Sequence, residues 1–177
     1  MKGLELSKAF YIEQVQPMLM EKFPQLFSHM AIGLVGEGSQ CFGFDDNLSQ
    51  DHDWGAAVCV WLTAEDYEQY GAMVQQALWE LPKEFRGYPV SWIQGRNGVL
   101  EINSFYRKYL ATDGVPTTIG QWLNIPAHHL ATATNGEVFA DPLDKFSAIR
   151  RELLLGYPED IRKKRLTKCC MTIAQSG

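Results

Sequence analysis

The sequence predicts an α/β (α+β) fold, a mixed and mostly antiparallel sheet flanked by helices. Short apolar runs at 31–35, 53–62, 90–93, 99–102 and 136–139 are bounded by glycine or polar turns, as buried strands are. Between them lie longer stretches whose apolar residues step by three and four, the helical period. A content of 46% hydrophobic and 12% aromatic residues in 177 supports one core of ordinary size, and no repeat or low-complexity tract interrupts it.

The first helix is predicted over 4–23, with Leu4, Tyr11, Val15, Met18, Leu19 and Phe23 near helical spacing. Pro17 has no N–H for the helical ladder and predicts a kink or a split there. A strand follows at 31–35 and runs into Gly36 and Gly38, which are turn residues. A second strand is predicted over 53–62. It ends at Thr63, whose Thr-Ala-Glu-Asp sequence opens a helix with a capping box. Tyr67, Tyr70, Val74, Leu78 and Leu81 form that helix's apolar stripe until Pro82 stops it. The runs 90–93 and 99–102, separated by Gly95-Arg96-Asn97-Gly98, predict a hairpin. Helical pieces are expected at 105–111 and 118–123, a short strand at 136–139 and a helix at 142–155. The segment 158–174 reads as the start of a C-terminal helical domain, so the expected division is 1–157 and 158–177, with the second unit cut short.

The formal net charge of −5 argues against a protein that coats nucleic acid by bulk electrostatics; phosphate binding has to be focused. No apolar run is long enough for a bilayer, and Glu5 and Lys8 stand where a signal peptide is greasy, so the chain reads as cytoplasmic with no membrane partner. Cys41, Cys59, Cys169 and Cys170 lack CxxC spacing and read as reduced thiols. Adjacent His128 and His129 point in different directions from one helical turn, which does not suit zinc. The run Arg162 to Arg165 reads as a solvated face, or as a contact for an acidic acceptor or RNA.

The chemistry-bearing segment runs from Gly36 to Gly55. Gly38-Ser39 follows an apolar strand, and glycine lets backbone amides approach triphosphate oxygens while the hydroxyl adds a donor. Eleven residues later come Asp51 and Asp53, which share one face if extended, and two such carboxylates favour a magnesium ion. The plainer alternative is a solvated turn. Glu101, between Leu100 and Ile102, is the candidate third acid, facing away from the core if its neighbours face in. Asp45-Asp46-Asn47 reads as a loop turn.

Gly38-Ser39, the spacer, Asp51-His52-Asp53-Trp54 and Leu100-Glu101-Ile102 together resemble the polymerase-beta-type nucleotidyltransferase superfamily. The strings SQDHDWG, NGEVFADP, YPEDIRKKRL and IAQSG also resemble a less characterised bacterial family within it, over nearly the whole chain. The resemblance implies a nucleotidyltransferase-like fold and transfer of a nucleoside monophosphate from a nucleoside triphosphate such as ATP to a hydroxyl acceptor, a small molecule, a protein or a tRNA end. It implies two Mg²⁺ ions held by Asp51, Asp53 and Glu101, phosphates held at Gly38 and Ser39, and a helical domain that helps hold the acceptor. The sequence departs from the pattern in two ways. No basic residue stands at 40–50, leaving Arg86, Arg96, Arg107 and Lys108 as undistinguished candidates for the triphosphate. His52 replaces an apolar residue and is either a hydrogen-bond partner of the metal ligands or a ring packed under the sheet. A catalytically inactive nucleotide-binding or partner-binding module of the same fold is the alternative reading.

Overall fold

The computed structural model describes residues 2–43, 55–112 and 114–175, with side chains through 167. A four-stranded mixed sheet is covered on both faces by helices. Its strands are β1 (Ala31–Leu34), β2 (Cys59–Leu62), β5 (Gly98–Glu101) and β6 (Glu137–Ala140), in the order β5-β2-β1-β6. β1 runs antiparallel to both β2 and β6, whereas β5 is parallel to β2.

Central β2 is apolar on consecutive residues because both of its faces are buried. Val58, Val60 and Leu62 enter one core; Ala57, Cys59 and Trp61 enter the other. On the second face the Trp61 ring stacks on Phe146 with centroids 3.9 Å apart, and Phe105 meets it edge-on.

The first helical stretch is divided, as Pro17 requires. α1 (Gly3–Phe10) passes through a π-helical turn at Tyr11–Val15 into α2 (Gln16–Lys22). The Gln16 N–H reaches back to the Tyr11 carbonyl, and this wider turn brings the chain to Pro17, which has no N–H to give. After α3 (Pro24–Phe27) comes β1, then the short α4 (Ser39–Phe42). Thr63 caps α5 (Ala64–Trp79) by accepting from the Asp66 N–H at 3.2 Å. Val74 and Leu78 of the expected stripe are buried, while Tyr67 is left exposed at the helix edge.

The hairpin expected between 90–93 and 99–102 does not form. Val90 bridges Ala56, and β5 instead adds to the free edge of β2 in parallel, with Cys59 opposite Gly98 and Leu62 opposite Glu101. The intervening turn exists, but the Ile93 N–H is taken by the Asn97 side chain at 2.7 Å, and α5 provides the crossover that parallel pairing needs. A two-residue hairpin forms earlier, β3 (Glu84–Phe85) with β4 (Tyr88–Pro89), through Arg86 and Gly87, both at positive φ.

β5 leads directly into α6 (Ile102–Leu110), followed by α7 (Ile119–Asn124), α8 (Ala127–Thr134), β6, α9 (Lys145–Leu155) and α10 (Glu159–Gln175). Thr118 and Gln121 close a capping box on α7. α10 docks on α7 through buried Ile161 and through Arg165, which donates to the carbonyls of Trp122 and Ile125. Among the described residues no helix is long and apolar enough to cross a membrane.

Candidate functional site

The candidate site is built where β1 ends. Gly36 and Gly38 adopt φ of 121° and 120°, a region that side chains with a Cβ rarely enter, so Glu37 is presented between two glycine hinges. Gly38 precedes α4, and half-buried Ser39 is the first residue of that helix.

A clamp holds the turn from across the chain. The Gly36 N–H donates to Asn135 Oδ1 at 2.8 Å, and Asn135 Nδ2 donates back to the Gly36 carbonyl at 2.8 Å. Arg150 Nη2 in turn gathers the carbonyls of Thr134, Asn135 and Gly136 at 2.8, 3.1 and 3.1 Å. Gly136 has no alternative at its position, since a Cβ there would lie 2.0 Å from the Leu34 carbonyl oxygen.

On the other flank, Gln40 Nε2 donates to the Gly55 carbonyl at 3.2 Å. This bond ties the residue after Ser39 to a residue two positions beyond Asp53. Asp51 and Asp53 themselves, with Asp45, Asp46 and His52, lie outside the described residues.

Positive charge gathers over the turn. Lys108 Nζ lies 2.7 Å from Glu37 Oε1 and Arg96 Nε 3.7 Å from Oε2, while the Tyr109 hydroxyl donates to Oε1 at 3.3 Å. A Cβ on Gly38 would sit 3.4 Å from Arg96 Nη2, so the guanidinium covers that α-carbon. Lys108 is also tied to the Gly95 carbonyl at 3.2 Å, joining α6 to the loop that carries Arg96. The Lys108 ammonium is the main cause holding the Glu37 carboxyl below the ordinary glutamate range. Burial, then the neighbouring Glu37 charge, pushes the Tyr109 phenol up. Beneath the turn, burial pushes the Cys41 and Cys59 thiols up to about 12. Of the four candidate cations, Arg96 and Lys108 are at the turn, Arg86 pairs with Glu13 on the π-helical turn, and Arg107 is on α6.

Glu101 is not at this end of the sheet. The strand register puts the turn beyond the Gly33–Cys59–Gly98 row and Glu101 beside Leu62, at the opposite end. Its carboxylate caps α6, accepting from the Asn103 and Ser104 N–H groups at 2.8 and 2.6 Å. α6 then runs back along the sheet, so Glu101 and Lys108 are separated by roughly 10 Å of helix rise. A carboxylate so placed does not share an ion with groups at the turn. Among the described residues no group of three His, Cys, Asp or Glu side chains is placed to hold a metal ion.

The loop carrying Arg96 has a second side. There a groove of about 590 Å³ opens between α5 and residues 92–97, lined by Tyr67, Gly71, Gln75, Trp79, Trp92 and Asn97 among others. Gln75 Oε1 accepts from the Val99 N–H at 2.8 Å, which fixes one wall of the groove to the edge of β5.

Sequence reasoning reached Gly38, Ser39 and the set containing Arg96 and Lys108, but not Glu37, Tyr109, Asn135 or Arg150. Glu37 was readable in Gly-Glu-Gly, a charged residue between two glycines. Asn135 acts on Gly36 across 99 positions and leaves no local signal.

No curated protein and no solved structure gives a significant match. Residues 122–177 are similar to a family model described as a domain of unknown function (DUF4037), and the matched stretch includes Asn135, Gly136 and Arg150.

Proposed function

We infer that the chain is a metal-dependent nucleotidyltransferase, moving a nucleoside monophosphate from a nucleoside triphosphate to a hydroxyl acceptor. The observation that carries this reading is the joining of three parts at one end of the sheet. They are the Gly36–Ser39 turn, the cations Arg96 and Lys108, and the Gln40–Gly55 bond leading toward Asp53. Backbone amides at the turn, the Ser39 hydroxyl and the two cations suit the β- and γ-phosphates. Asp51 and Asp53 would hold magnesium, which would neutralise phosphate charge and lower the pKa of the acceptor hydroxyl. The acceptor oxygen forms a bond to the α-phosphorus as the α–β bridging bond breaks; pyrophosphate leaves with the bridging oxygen, and the acceptor proton passes to an aspartate carboxylate. Glu101 has no part in this scheme. The groove walled by Trp79, Trp92 and Gln75 lies across the Arg96 loop and suits a ring-bearing acceptor with hydroxyls, through aromatic faces and amide donors.

The engagement of Glu101 as a helix cap favours a second reading, a module of the same fold that binds nucleotide without transferring it. Thermal unfolding with ATP, GTP, CTP and UTP, with and without magnesium, tests both. A nucleotide at a hundredfold excess over its Kd adds about 2.7 kcal/mol of stability. Transfer predicts a magnesium-dependent rise with at least one nucleotide, lost in Asp53→Asn. A rise that ignores magnesium and Asp53 supports the binding module, and no rise with any nucleotide overturns both.

A further inference from the structure

Glu37 is an odd residue for a phosphate-binding turn, since it puts a negative charge where negative ligands are expected. Its surroundings account for it. Lys108, Arg96 and Tyr109 direct three donors at one carboxylate, and the flanking glycines hold that carboxylate over the turn. A carboxylate held by an ammonium, a guanidinium and a hydroxyl has the donor set of a bound phosphate oxygen pair.

We propose that Glu37 is a built-in substitute anion, occupying a polyphosphate subsite made by Arg96, Lys108 and Tyr109, and that a polyphosphate ligand binds by displacing it. This rests on the nucleotide reading of the turn and adds to it a closed state with Glu37 in the subsite. The exchange is balanced in charge: one anion leaves the cations as another arrives, so Arg96 and Lys108 keep a counter-charge throughout. The displacement needs only rotation about the Glu37 side-chain bonds, because the Asn135 clamp holds the Gly36 backbone in place. The Glu37 side chain is 42% exposed, so it swings into water without disturbing the core.

The probe is inorganic tripolyphosphate in chelator, titrated by calorimetry into wild type, Glu37→Gln and Lys108→Met. A site filled nine-tenths of the time by its own carboxylate shows an affinity reduced about tenfold, so Glu37→Gln is expected to bind roughly tenfold more tightly than wild type. Lys108→Met is expected to bind more weakly than either. The exposure of Glu37 makes loss of folding no obstacle, and Glu37→Ala gives the same reading without the amide. Equal or weaker binding by both Glu37 variants overturns the proposal. If no form binds tripolyphosphate while ATP with magnesium still stabilises wild type, the substitute-anion proposal fails and the nucleotide reading survives. If neither ligand acts on any form, both fail.

Discussion

The Asn135 clamp gives the sharpest test of how the turn is held. In Asn135→Ala two hydrogen bonds vanish, and the buried Gly36 N–H and C=O lose the partners they had at 2.8 Å. A net hydrogen bond contributes about 0.5–1.5 kcal/mol, and a buried donor left without a partner costs about 1–3 kcal/mol. With partial recovery by water entering where half-buried Asn135 is truncated, the loss is roughly 2–3 kcal/mol. For a chain of 177 residues this is a fall in Tm of roughly 4–12 °C. Asn135→Asp separates the two bonds, because a carboxylate still accepts from the Gly36 N–H but turns a lone pair against its carbonyl. It is expected to destabilise as much as alanine does, despite being closer in shape. Urea unfolding of the three proteins, followed by tryptophan fluorescence, measures the differences. A loss below about 0.5 kcal/mol in Asn135→Ala would show that the turn is held by its own geometry and refute the clamp.

Two further outcomes follow from the same geometry. Glu101→Gln weakens a helix cap, so it should cost about 1 kcal/mol of stability and leave nucleotide affinity unchanged; a fall in magnesium-dependent nucleotide binding would return Glu101 to the metal site. Cys41 and Cys59, with thiols pushed up to about 12, stay protonated at pH 8 in the folded chain, since thiolate forms only as pH approaches that value. Mass mapping after alkylation at pH 8 should find both unlabelled until denaturant is added, and rapid labelling in native buffer would contradict their burial.

Features that depend on residues within a few positions of one another were legible in the sequence. The apolar run before Gly36, the Thr63 cap, the Pro17 interruption and the helix at Thr118 each carry a local signal, and each is present. The partner of 99–102 was not legible. Any strand with that pattern satisfies a hairpin or an edge, and the choice was made by the unpaired side of β2. The extent of α8 around His128 and His129 was not legible because Ala-His-His-Leu-Ala-Thr-Ala-Thr has little apolar periodicity; its burial of Thr132 and Ala133 comes from packing. For the site, Gly38 and Ser39 were readable as a turn, whereas the choice of Arg96 and Lys108 over Arg86 needed the fold. Glu101 shows the risk of a three-residue pattern: an acid at the end of a strand also suits the start of a helix, and here the helix uses it.

The pairing of β1 with β6 has a consequence for how the chain is made. Ile32 finds its partner Ala140 only 108 positions later, whereas its other partner, Val60, follows after 28. At about 5–20 residues per second on a ribosome, one edge of β1 waits roughly 5–20 s for its neighbour. During that time the nascent chain presents Ala-Ile-Gly-Leu as an unpaired apolar edge, the kind of surface that chaperones hold and other chains join. The Gly36–Ser39 turn at the end of that strand therefore cannot take its final shape until Asn135 and β6 have emerged and closed the sheet.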